Sequence, residues 1–354
     1  MELSELQEKI VTSPDDKMVV ISRAATGKTR CLTERVRYWL RQGVDPSEIC
    51  CITFTNLAAN EMQVRLDTDY KSGMFIGTIH ALAARFLLMA GHTTEVDKAI
   101  DKEQFDDFFK IIKTDPSCVQ HFSYVLVDEA QDLAYDEYYF IFHMIRPDCF
   151  FVVGDPFQCI YQTMKGASAY YMNKLSEQPD VVTYELNENY RNKANILQYA
   201  QRALKPLQMR DNSRPMSIGG TIYEGKYDTD MLVEWIDENG SYKDWAVLCY
   251  TKAEVSFIMS ELQKSFVPVV NFNQRQKTKK EIDDLVNQDK VKVLTIWGAK
   301  GLGFKNVAIY GKNWLLYKKD KIESDEGARV NYVAYTRAMD ALLVLEPTYK
   351  KRRW

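Results

Sequence analysis

The sequence predicts an α/β protein of two domains, each built on a mainly parallel sheet with helices around it. Short apolar runs alternate with longer segments of helical periodicity, the order expected of βαβ units. This alternation pauses at a polar stretch from Met209 to Gly220 and then begins again. A length of 354 residues also suits two domains better than one. We therefore expect one domain over residues 1–208 and a second over residues 209–354.

The apolar runs of both halves are interpreted as strands. In the first half these are Lys17–Ser22, Ile49–Phe54, Tyr124–Asp128, Phe150–Asp155 and Val181–Leu186. In the second half they are Thr221–Lys226, Ala246–Tyr250, Val291–Trp297, Val307–Tyr310 and Ala341–Leu345. Helices are expected up to Gly43, from Asn56 to Leu66, and after Asn192.

The composition excludes a protein that coats nucleic acid with its whole surface. The formal net charge is −3, so a nucleic-acid site would have to be a local cleft. The seven cysteines lie mostly in apolar runs without metal-like CxxC spacing, which favours buried, reduced thiols. The polar start and the lack of a long apolar run predict no signal peptide, no membrane span and a cytoplasmic location.

A candidate phosphate-binding loop follows the first expected strand. Its sequence is SRAATGKT, from Ser22 to Thr29, and a helix is expected to begin within it. In such loops backbone N–H groups and the helix start hold the phosphates, a lysine reaches the β- and γ-phosphates, and a hydroxyl binds Mg²⁺. Lys28 and Thr29 stand in the last two positions. A Gly-Lys-Thr tripeptide also occurs by chance, so the loop alone does not identify the site.

Acidic and amide side chains follow two other expected strands. Asp128 and Glu129 come at the end of the strand that begins at Tyr124, and Gln158 lies shortly after the strand that ends at Asp155. The carboxyl ends of parallel strands share one sheet edge, so these groups are expected beside the phosphate loop. Asp128 would hold Mg²⁺, and Glu129 would orient or deprotonate a water molecule. Two adjacent acids are otherwise often only a solvated turn.

Taken together, these segments resemble the UvrD-like branch of the superfamily 1 helicases, from Leu3 to Leu345. The segments that carry the resemblance are LSELQ (3–7), the phosphate loop, ITFTN (52–56), GTIH (77–80), DEAQD (128–132), GDPFQCIYQTMKGA (154–167), NYR (189–191), TIWGAKGLGF (295–304) and YVAYTRA (332–338). The last is the most specific. The resemblance implies two RecA-like P-loop NTPase domains, ATP and Mg²⁺ as cofactors, a DNA-stimulated ATPase activity, and 3′→5′ movement along single-stranded DNA.

The resemblance also places residues at the nucleotide. Gln7 would recognise adenine, Tyr190 would stack on it, and Arg30 would lie over the base. The full set is Gln7, Ser22, Arg23, Ala24, Ala25, Thr26, Gly27, Lys28, Thr29, Arg30, Tyr190 and Gly303.

The catalytic groups that the resemblance implies are Lys28, Asp128, Glu129, Gln158, Arg191 and Arg337. Gln158 would sense the γ-phosphate. Arg191 and Arg337 would converge on that phosphate from opposite sides of a cleft between the domains, where arginine fingers accelerate the reaction by a factor on the order of 10³–10⁵. Because Arg337 belongs to the second expected domain, hydrolysis would require closure of the cleft.

The nucleic-acid track is expected to cross both domains and to hold single-stranded or tailed duplex DNA. The residues assigned to it are Phe54, Thr55, Asn56, Thr78, His80, Tyr161, Trp297 and Lys300. Hydroxyls and amides suit phosphate contacts, and aromatic rings stack on bases of any sequence. A lone histidine such as His80 is more often structural, so its role depends on the resemblance.

Several positions depart from the family pattern. Arg23 and Ala25 replace glycines of the phosphate loop, and alanine does not readily take a positive φ. Gly303 replaces a glutamate, which removes a ribose contact and is expected to weaken discrimination against deoxy-ATP. An aromatic residue expected before Lys165 is missing, and Trp297 stands in place of a histidine. We hypothesise that Trp297 supplies the missing stacking surface.

Two segments are too short for the accessory subdomains that family members commonly carry. These are a helical insertion at about residues 89–123 and another at about residues 253–290. Three functions remain open: an autonomous translocase or helicase, a motor subunit that needs a partner such as a nuclease or a replication or repair factor, and a degenerate module that binds DNA without turnover. Intact Lys28, Glu129 and Arg337 argue against the last.

Overall fold

The protein contains two six-stranded parallel sheets, each flanked by helices, in a computed structural model that describes residues 2–66, 73–272, 284–285 and 287–348. The contacts divide the chain into two units. The first comprises the residues up to Ser22 and those from Gly27 to Leu186, and the second comprises Arg23–Thr26 and the residues from Asn187 onwards. The predicted fold class is confirmed.

The first sheet has the strand order β3-β2-β4-β5-β1-β6. Its strands are β1 (Lys17–Ser22), β2 (Ile49–Thr53), β3 (Phe75–Thr78), β4 (Tyr124–Val127), β5 (Cys149–Gly154) and β6 (Val182–Leu186). All neighbouring pairs are parallel, so the carboxyl ends of the strands meet at one edge. The apolar runs predict every strand except β3, whose sequence FIGT is too short and too mixed to form such a run.

Helices flank the first sheet. They are α1 (Glu5–Thr12), α2 (Lys28–Arg41), α3 (Asn56–Arg65), α4 (Ile79–Met89), α5 (Thr93–Asp101), α6 (Asp107–Thr114), α7 (Tyr135–Tyr139), α8 (Gln162–Lys165) and α9 (Ala169–Ser176). A π-helical segment over Phe140–Ile145 continues α7. The segment predicted as an insertion at 89–123 contains α5 and α6, which pack against α4.

The inner strands of the first sheet, such as β1 and β5, are mostly apolar because both faces of the sheet are covered. In β1, Val19 belongs to one core cluster, whereas Met18 and Val20 belong to the other. In β5 the same alternation places Phe150 in the first cluster and Phe151 in the second. Successive strand residues point to opposite faces, so a sheet covered on both sides needs an unbroken apolar run. The polar candidate residues accordingly follow the ends of the strands.

The second unit contains a sheet with the order β11-β12-β10-β13-β14-β9, in which every pair is parallel. Its strands are β9 (Thr221–Lys226), β10 (Trp245–Cys249), β11 (Val269–Asn271), β12 (Val291–Thr295), β13 (Phe304–Tyr310) and β14 (Ala338–Glu346). A separate parallel pair is formed by β7 (Glu188–Lys193) and β8 (Arg214–Ser217). The helices are α10 (Ala194–Arg202), α11 (Thr229–Glu238), α12 (Lys252–Lys264) and α13 (Lys321–Tyr335).

The boundary between the units differs from the predicted division after residue 208. The structure places it directly after Leu186, because α10 packs against α13 and β14. The side-chain amide of Asn192 strengthens this attachment by donating to the carbonyl oxygen of Thr336 at 3.0 Å. The polar stretch predicted as a linker contains β8 and lies inside the second unit.

The predicted insertion at about 253–290 corresponds in part to the sheet itself. Its first part forms α12 and β11, and β11 is the edge strand that pairs with β12. The helix packs against β10, β11 and β12. Hydrophobic periodicity in the sequence does not show whether a helix packs against the sheet or belongs to an inserted subdomain. Residues 273–283 and 286 lie outside the described part of the chain.

Burial of the cysteines agrees with the sequence-based prediction. All seven are buried, with free thiols. In the part of the chain that the structure describes, no helix is long and apolar enough to cross a membrane.

Candidate nucleotide and nucleic-acid sites

The phosphate loop connects β1 to α2 through two residues with left-handed backbone conformation. Gly27 caps α2 with φ of +85°, and Ala25 has φ of +58°. A Cβ at position 27 would lie 2.7 Å from Nε2 of Gln7, so glycine is required there for space as well. Ala25 adopts a conformation that costs a non-glycine residue about 1–2 kcal/mol. The loop therefore takes a left-handed turn here although a family glycine is replaced.

The start of α2 is suited to an anion. Gly27 offers no side chain to cap the helix, and the first N–H groups of a helix have no acceptor within it. The helix dipole adds partial positive charge at the same place. Lys28 and Thr29 are the first two residues of the helix. The Lys28 ammonium and the Thr29 hydroxyl therefore lie at the end of the helix that attracts phosphate.

Gln7 lies beside the loop and also caps α1. Its Oε1 accepts the N–H of Ser4 at 3.1 Å, and its own N–H donates to the Ser4 hydroxyl oxygen at 3.3 Å. The side chain is buried, with Nε2 directed towards Gly27. The structure therefore brings Gln7 next to the phosphate loop, and its contact with adenine stays a prediction.

A salt bridge joins the phosphate loop to the acidic pair that follows β4. Nζ of Lys28 is 3.6 Å from Oε1 of Glu129, and both side chains are largely buried. Asp128 lies next to them, and its Oδ1 accepts the N–H of Glu129 at 2.9 Å. Asp128 and Thr29 offer carboxylate and hydroxyl oxygens, the ligands that Mg²⁺ prefers. These two residues fit the ion that a phosphate loop requires.

Gln131 connects the acidic pair to the next strand end. Its Nε2 donates to the Glu129 carboxylate, and its Oε1 accepts the N–H of Asp155 at 2.8 Å. Gln158 then donates from Nε2 to Oδ2 of Asp155 at 2.7 Å. Gln131 and Asp155 are fully buried. Neither residue is among those predicted for the site, although a glutamine within DEAQD and an acid directly after β5 are signals in the sequence.

The second unit holds the first half of the phosphate loop. The backbone carbonyl of Ala24 accepts from the Asn189 side-chain amide, and that of Ala25 accepts from the N–H of Tyr190, both at 3.0 Å. Nε of Arg23 is 3.8 Å from Oδ1 of Asp211. The NYR segment thus contacts the loop backbone directly, and the arginine that replaces a loop glycine is paired with a buried acid.

Asp211 is a site residue that sequence reasoning misses. Its carboxylate also accepts the Tyr332 hydroxyl at 2.9 Å, the N–H of Ser213 at 2.9 Å and the Ser213 hydroxyl at 2.8 Å. Asp211 lies in the stretch predicted as a linker, where an acid gives no signal of its own. The tertiary fold alone brings it to Arg23.

Arg191 and Arg337 both contact the dipeptide Leu302–Gly303 of the second unit. A Cβ on Gly303 would lie 2.7 Å from Nε of Arg191. Arg337 is 1% exposed and donates from Nη1 to the Leu302 carbonyl oxygen at 3.0 Å. Nε of Arg337 also donates to the Val333 carbonyl oxygen at 2.9 Å. The sequence predicts these arginines on opposite sides of a cleft between two domains, whereas in the structure both belong to the second unit.

The environments of Arg191 and Tyr190 differ. Burial lowers the pKa of the Arg191 guanidinium below its ordinary value, although an arginine remains charged under such conditions. Tyr190 is 45% exposed, and its hydroxyl donates to Oε2 of Glu188 at 2.7 Å. An exposed ring suits stacking on a base, which remains a prediction. Arg30 lies in the first turn of α2 and is half-buried.

Two of the predicted nucleic-acid residues cap helices. The Thr55 hydroxyl caps α3 by accepting the N–H of Ala58 at 3.1 Å, and the Thr78 hydroxyl caps α4 by accepting the N–H of Ala81 at 3.2 Å. A hydroxyl that accepts a capping bond still has a hydrogen to donate. Asn56 is the first residue of α3.

Phe54 and Tyr161 form an aromatic pair in the first unit. Their ring centroids are 5.1 Å apart, and their planes are 29° from parallel. His80 is held between two acids, with Nε2 at 3.3 Å from Oδ1 of Asp106 and 3.9 Å from Oε1 of Glu137. The structure thus brings together an aromatic pair and places an anchored histidine in the same unit.

Trp297 and Lys300 belong to the second unit. A 3₁₀ turn over Trp297–Ala299 directly follows β12, and the Thr295 hydroxyl oxygen accepts the N–H of Gly298 at 3.2 Å. The Trp297 and Lys300 side chains are half-buried. Their contact with nucleic acid is still a prediction.

Two models of known protein families match this chain. The model of the UvrD/REP helicase N-terminal domain matches residues 3–120 and 113–180, and that of the UvrD-like helicase C-terminal domain matches residues 270–347. The chain belongs to the UvrD-like helicase family. The resemblance inferred from the motifs is confirmed.

This UvrD-like chain is similar to several bacterial helicases. It is 23% identical to DNA helicase II of Escherichia coli over 78% of this chain and 53% of that protein. It is 22% identical to DNA helicase II of Haemophilus influenzae over the same shares. It is 24% identical to the ATP-dependent DNA helicase PcrA of Leuconostoc citreum over 74% of this chain and 48% of that protein. The UvrD-like chain spans about half the length of these relatives.

Most of the predicted site residues of the UvrD-like chain lie within the segments that match the family models. The N-terminal match includes the phosphate loop, Glu129 and Gln158, and the C-terminal match includes Gly303 and Arg337. The NYR segment lies between the two matches. Its assignment rests on its contacts with the phosphate loop and with Gly303.

Proposed function

We propose that this chain is the motor core of an ATP-dependent DNA translocase or helicase. One observation carries the proposal: a continuous polar path runs from the start of α2 to two strand ends, through Lys28, Glu129, Gln131, Asp155 and Gln158. A path of paired, buried side chains holds several phosphate-sensing groups in fixed positions before ATP arrives. The family membership supports the same function.

In the proposed reaction, the phosphate loop holds ATP and Glu129 acts on the attacking water. Lys28 contacts Glu129 at 3.6 Å, and on binding ATP it would exchange this contact for the β- and γ-phosphates. The Glu129 carboxylate is then able to accept a proton from water, in general-base catalysis worth about 10²–10⁴-fold. A Mg²⁺ ion held by Thr29 and Asp128 supplies neutralising charge when bound.

The two arginines of the second unit would stabilise charge on the transferred phosphoryl group. We propose that ATP is hydrolysed between the two RecA-like domains, so that turnover is coupled to domain movement. The anchoring of Arg337 to Leu302 and Val333 gives its guanidinium a fixed orientation. A preoriented cation loses little entropy when it meets the phosphate.

Recognition of the nucleoside is proposed to use Gln7, Tyr190 and Arg30. Gln7 lies beside the phosphate loop, and the exposed Tyr190 follows a residue that contacts the loop backbone. At the ribose, Gly303 offers no carboxylate. We therefore expect the protein to use deoxy-ATP nearly as well as ATP.

Single-stranded DNA is the proposed track, with 3′→5′ polarity taken from the family resemblance. The Phe54–Tyr161 pair and Trp297 would stack on bases, while Thr55, Asn56, Thr78, His80 and Lys300 would contact the backbone. Replacing Trp297 by alanine tests the second-unit part of the track. If DNA affinity and DNA-stimulated ATPase were unchanged, Trp297 would not be a stacking surface.

A second candidate is a motor that opens duplex DNA only with a protein partner, such as a nuclease or a replication or repair factor. The observation that favours it is the small segment between α4 and β4, which contains α5, α6 and a short 3₁₀ turn. Such a segment does not provide a sizeable accessory domain for separating strands.

The proposed function is tested by ATPase and strand-separation assays on the isolated chain. We expect ATP hydrolysis to rise when single-stranded DNA is added, and a Lys28→Ala variant to lose this activity. Unwinding of 3′-tailed but not 5′-tailed duplex would support an autonomous 3′→5′ helicase. DNA-stimulated hydrolysis without unwinding would favour the partner-dependent motor. Nucleotide-dependent DNA binding without hydrolysis would leave only a degenerate binding module.

A further inference from the structure

A buried carboxylate on α7, that of Glu137, lies between Lys165 and the DNA-assigned His80, whose Nε2 is 3.9 Å from Oε1 of Glu137. The Glu137 side chain is 4% exposed, and Nζ of Lys165 lies 3.4 Å from each of its carboxylate oxygens. Oε2 of Glu137 also accepts the N–H of Ala134 at 2.7 Å, which caps the helix. Neither Glu137 nor Lys165 is among the residues that the sequence assigns to a site.

Lys165 links this carboxylate to the aromatic pair. Its ammonium lies 4.4 Å from the centroid of the Phe54 ring, and the Phe54 ring is stacked on Tyr161. The contacts therefore form a series from Glu137 to Lys165, from Lys165 to Phe54, and from Phe54 to Tyr161. All four residues belong to the first unit.

The surroundings of Lys165 limit what its charge can do. The side chain is 27% exposed and has a buried carboxylate as counter-ion. A buried carboxylate that loses its cation is strongly destabilised, so Glu137 competes with any phosphate for the ammonium. A cation over an aromatic ring is also attracted to the ring. The two contacts hold the Lys165 ammonium between the Glu137 carboxylate and the Phe54 ring.

We propose that Glu137 and Lys165 are positioning residues for base stacking: they fix Phe54 against Tyr161, and Lys165 does not neutralise a DNA phosphate. This inference rests on the proposed function, because it assumes that the Phe54–Tyr161 pair binds single-stranded DNA. The alternative is that Lys165 is a basic residue that binds a DNA phosphate directly. The two alternatives predict different salt dependence.

The salt dependence of DNA binding separates a positioning lysine from a phosphate contact. Each phosphate that a protein neutralises on single-stranded DNA contributes about −0.7 to the slope of log K against log salt concentration. If Lys165 positions Phe54, Lys165→Gln weakens binding and leaves this slope unchanged. If it contacts a phosphate, the magnitude of the slope falls by about 0.7.

The experiment measures binding of oligo(dT) to the full chain by fluorescence anisotropy over a range of salt concentrations. We expect Lys165→Gln and Glu137→Gln each to weaken binding about tenfold, in the range for a lost base stack. The double variant should be little weaker than either single variant, since both act through the same ring. Glutamine at 137 can still accept the Ala134 N–H, so the cap of α7 is kept.

Lys174→Gln is the matched control. Lys174 also lies over a tyrosine ring, at 5.5 Å from the Tyr170 centroid, and pairs with Glu177 at 2.7 Å. Its loss should leave oligo(dT) affinity unchanged. Lys165→Gln leaves the buried Glu137 carboxylate without its cation and is expected to lower the free energy of unfolding, so DNA binding is measured well below the unfolding transition of this variant. The double variant leaves no unpaired carboxylate, and weakened DNA binding in it separates positioning from loss of fold.

A second readout reports on stacking directly. Fluorescence of 2-aminopurine in the oligonucleotide is expected to be quenched by the wild-type chain and less quenched by Lys165→Gln and Glu137→Gln. A reduced salt slope, or unchanged affinity and quenching in both variants, would overturn the inference while the proposed function stands. A wild-type chain that does not bind single-stranded DNA would overturn both.

Discussion

The guanidinium of Arg191 occupies the space that a side chain at Gly303 would need. A Cβ on residue 303 would lie 2.7 Å from Nε of Arg191 and 3.1 Å from its Cζ. The replacement of a family glutamate by glycine thus has a consequence beyond the lost carboxylate. It allows Arg191 to lie directly against the backbone of this segment.

We predict that Gly303→Ala lowers ATP turnover by displacing Arg191. The change should move activity towards that of Arg191→Ala, for which loss of an arginine finger predicts a decrease on the order of 10³-fold. DNA affinity without nucleotide should not change. Steady-state ATPase assays check this. Gly298→Ala is the control, because its Cβ would meet Thr295 Oγ1 at 3.3 Å, a contact that a small side-chain movement relieves. Full activity of Gly303→Ala would contradict the prediction.

Gln131→Leu should reduce both stability and ATPase activity. It removes the acceptor of the buried Asp155 N–H and the donor to Glu129. Loss of a partner for a buried polar group costs about 1–3 kcal/mol, which urea unfolding can measure. Gln104→Leu, at an exposed position, should change the free energy of unfolding by less than about 0.5 kcal/mol. Equal stability of the two variants would show that the Gln131 bonds contribute nothing.

The Arg23–Asp211 contact can be measured by a double-mutant cycle. Arg23→Gly restores the family residue but leaves the fully buried Asp211 carboxylate without this cation. We expect it to destabilise the protein, although Ser213 and Tyr332 continue to donate to Asp211. Asp211→Asn should make the effect of Arg23→Gly smaller, with a coupling energy of about 0.5–3 kcal/mol. Strictly additive effects in guanidinium unfolding would mean that the two side chains do not interact.

The cysteines should react slowly with thiol reagents in the native protein. Burial raises the pKa of Cys31, Cys51 and Cys149 from 9.0 to about 12. The thiolate is the reactive form, so at pH 9 these thiols are almost wholly protonated when folded and about half ionised when unfolded. Labelling with Ellman's reagent should be slow until denaturant is added, at pH 8 and at pH 9. Rapid labelling of these three cysteines in the native state would contradict their burial.

Much of the fold could be predicted because the strands are buried on both faces. Such strands read as continuous apolar runs, as in β1 and β5, and nearly every strand of the two large sheets follows from them. Short or mixed strands such as β3, β7 and β8 could not be predicted, since they lack such a run. The compact units divide after Leu186 and not after residue 208, because α10 packs on α13 through long-range contacts that a local pattern does not reveal.

The sequence by itself determined the family, the two parallel sheets and the residues of the phosphate loop, because these depend on local patterns and on motif order. Only the tertiary structure decided which side chains meet. Gln131 with Asp155, Arg23 with Asp211, and Glu137 with Lys165 are pairs whose members are separated along the chain. No local pattern identifies such pairs, because their contact depends on how the strands and helices pack. The placement of Arg191 against Gly303 is decided in the same way.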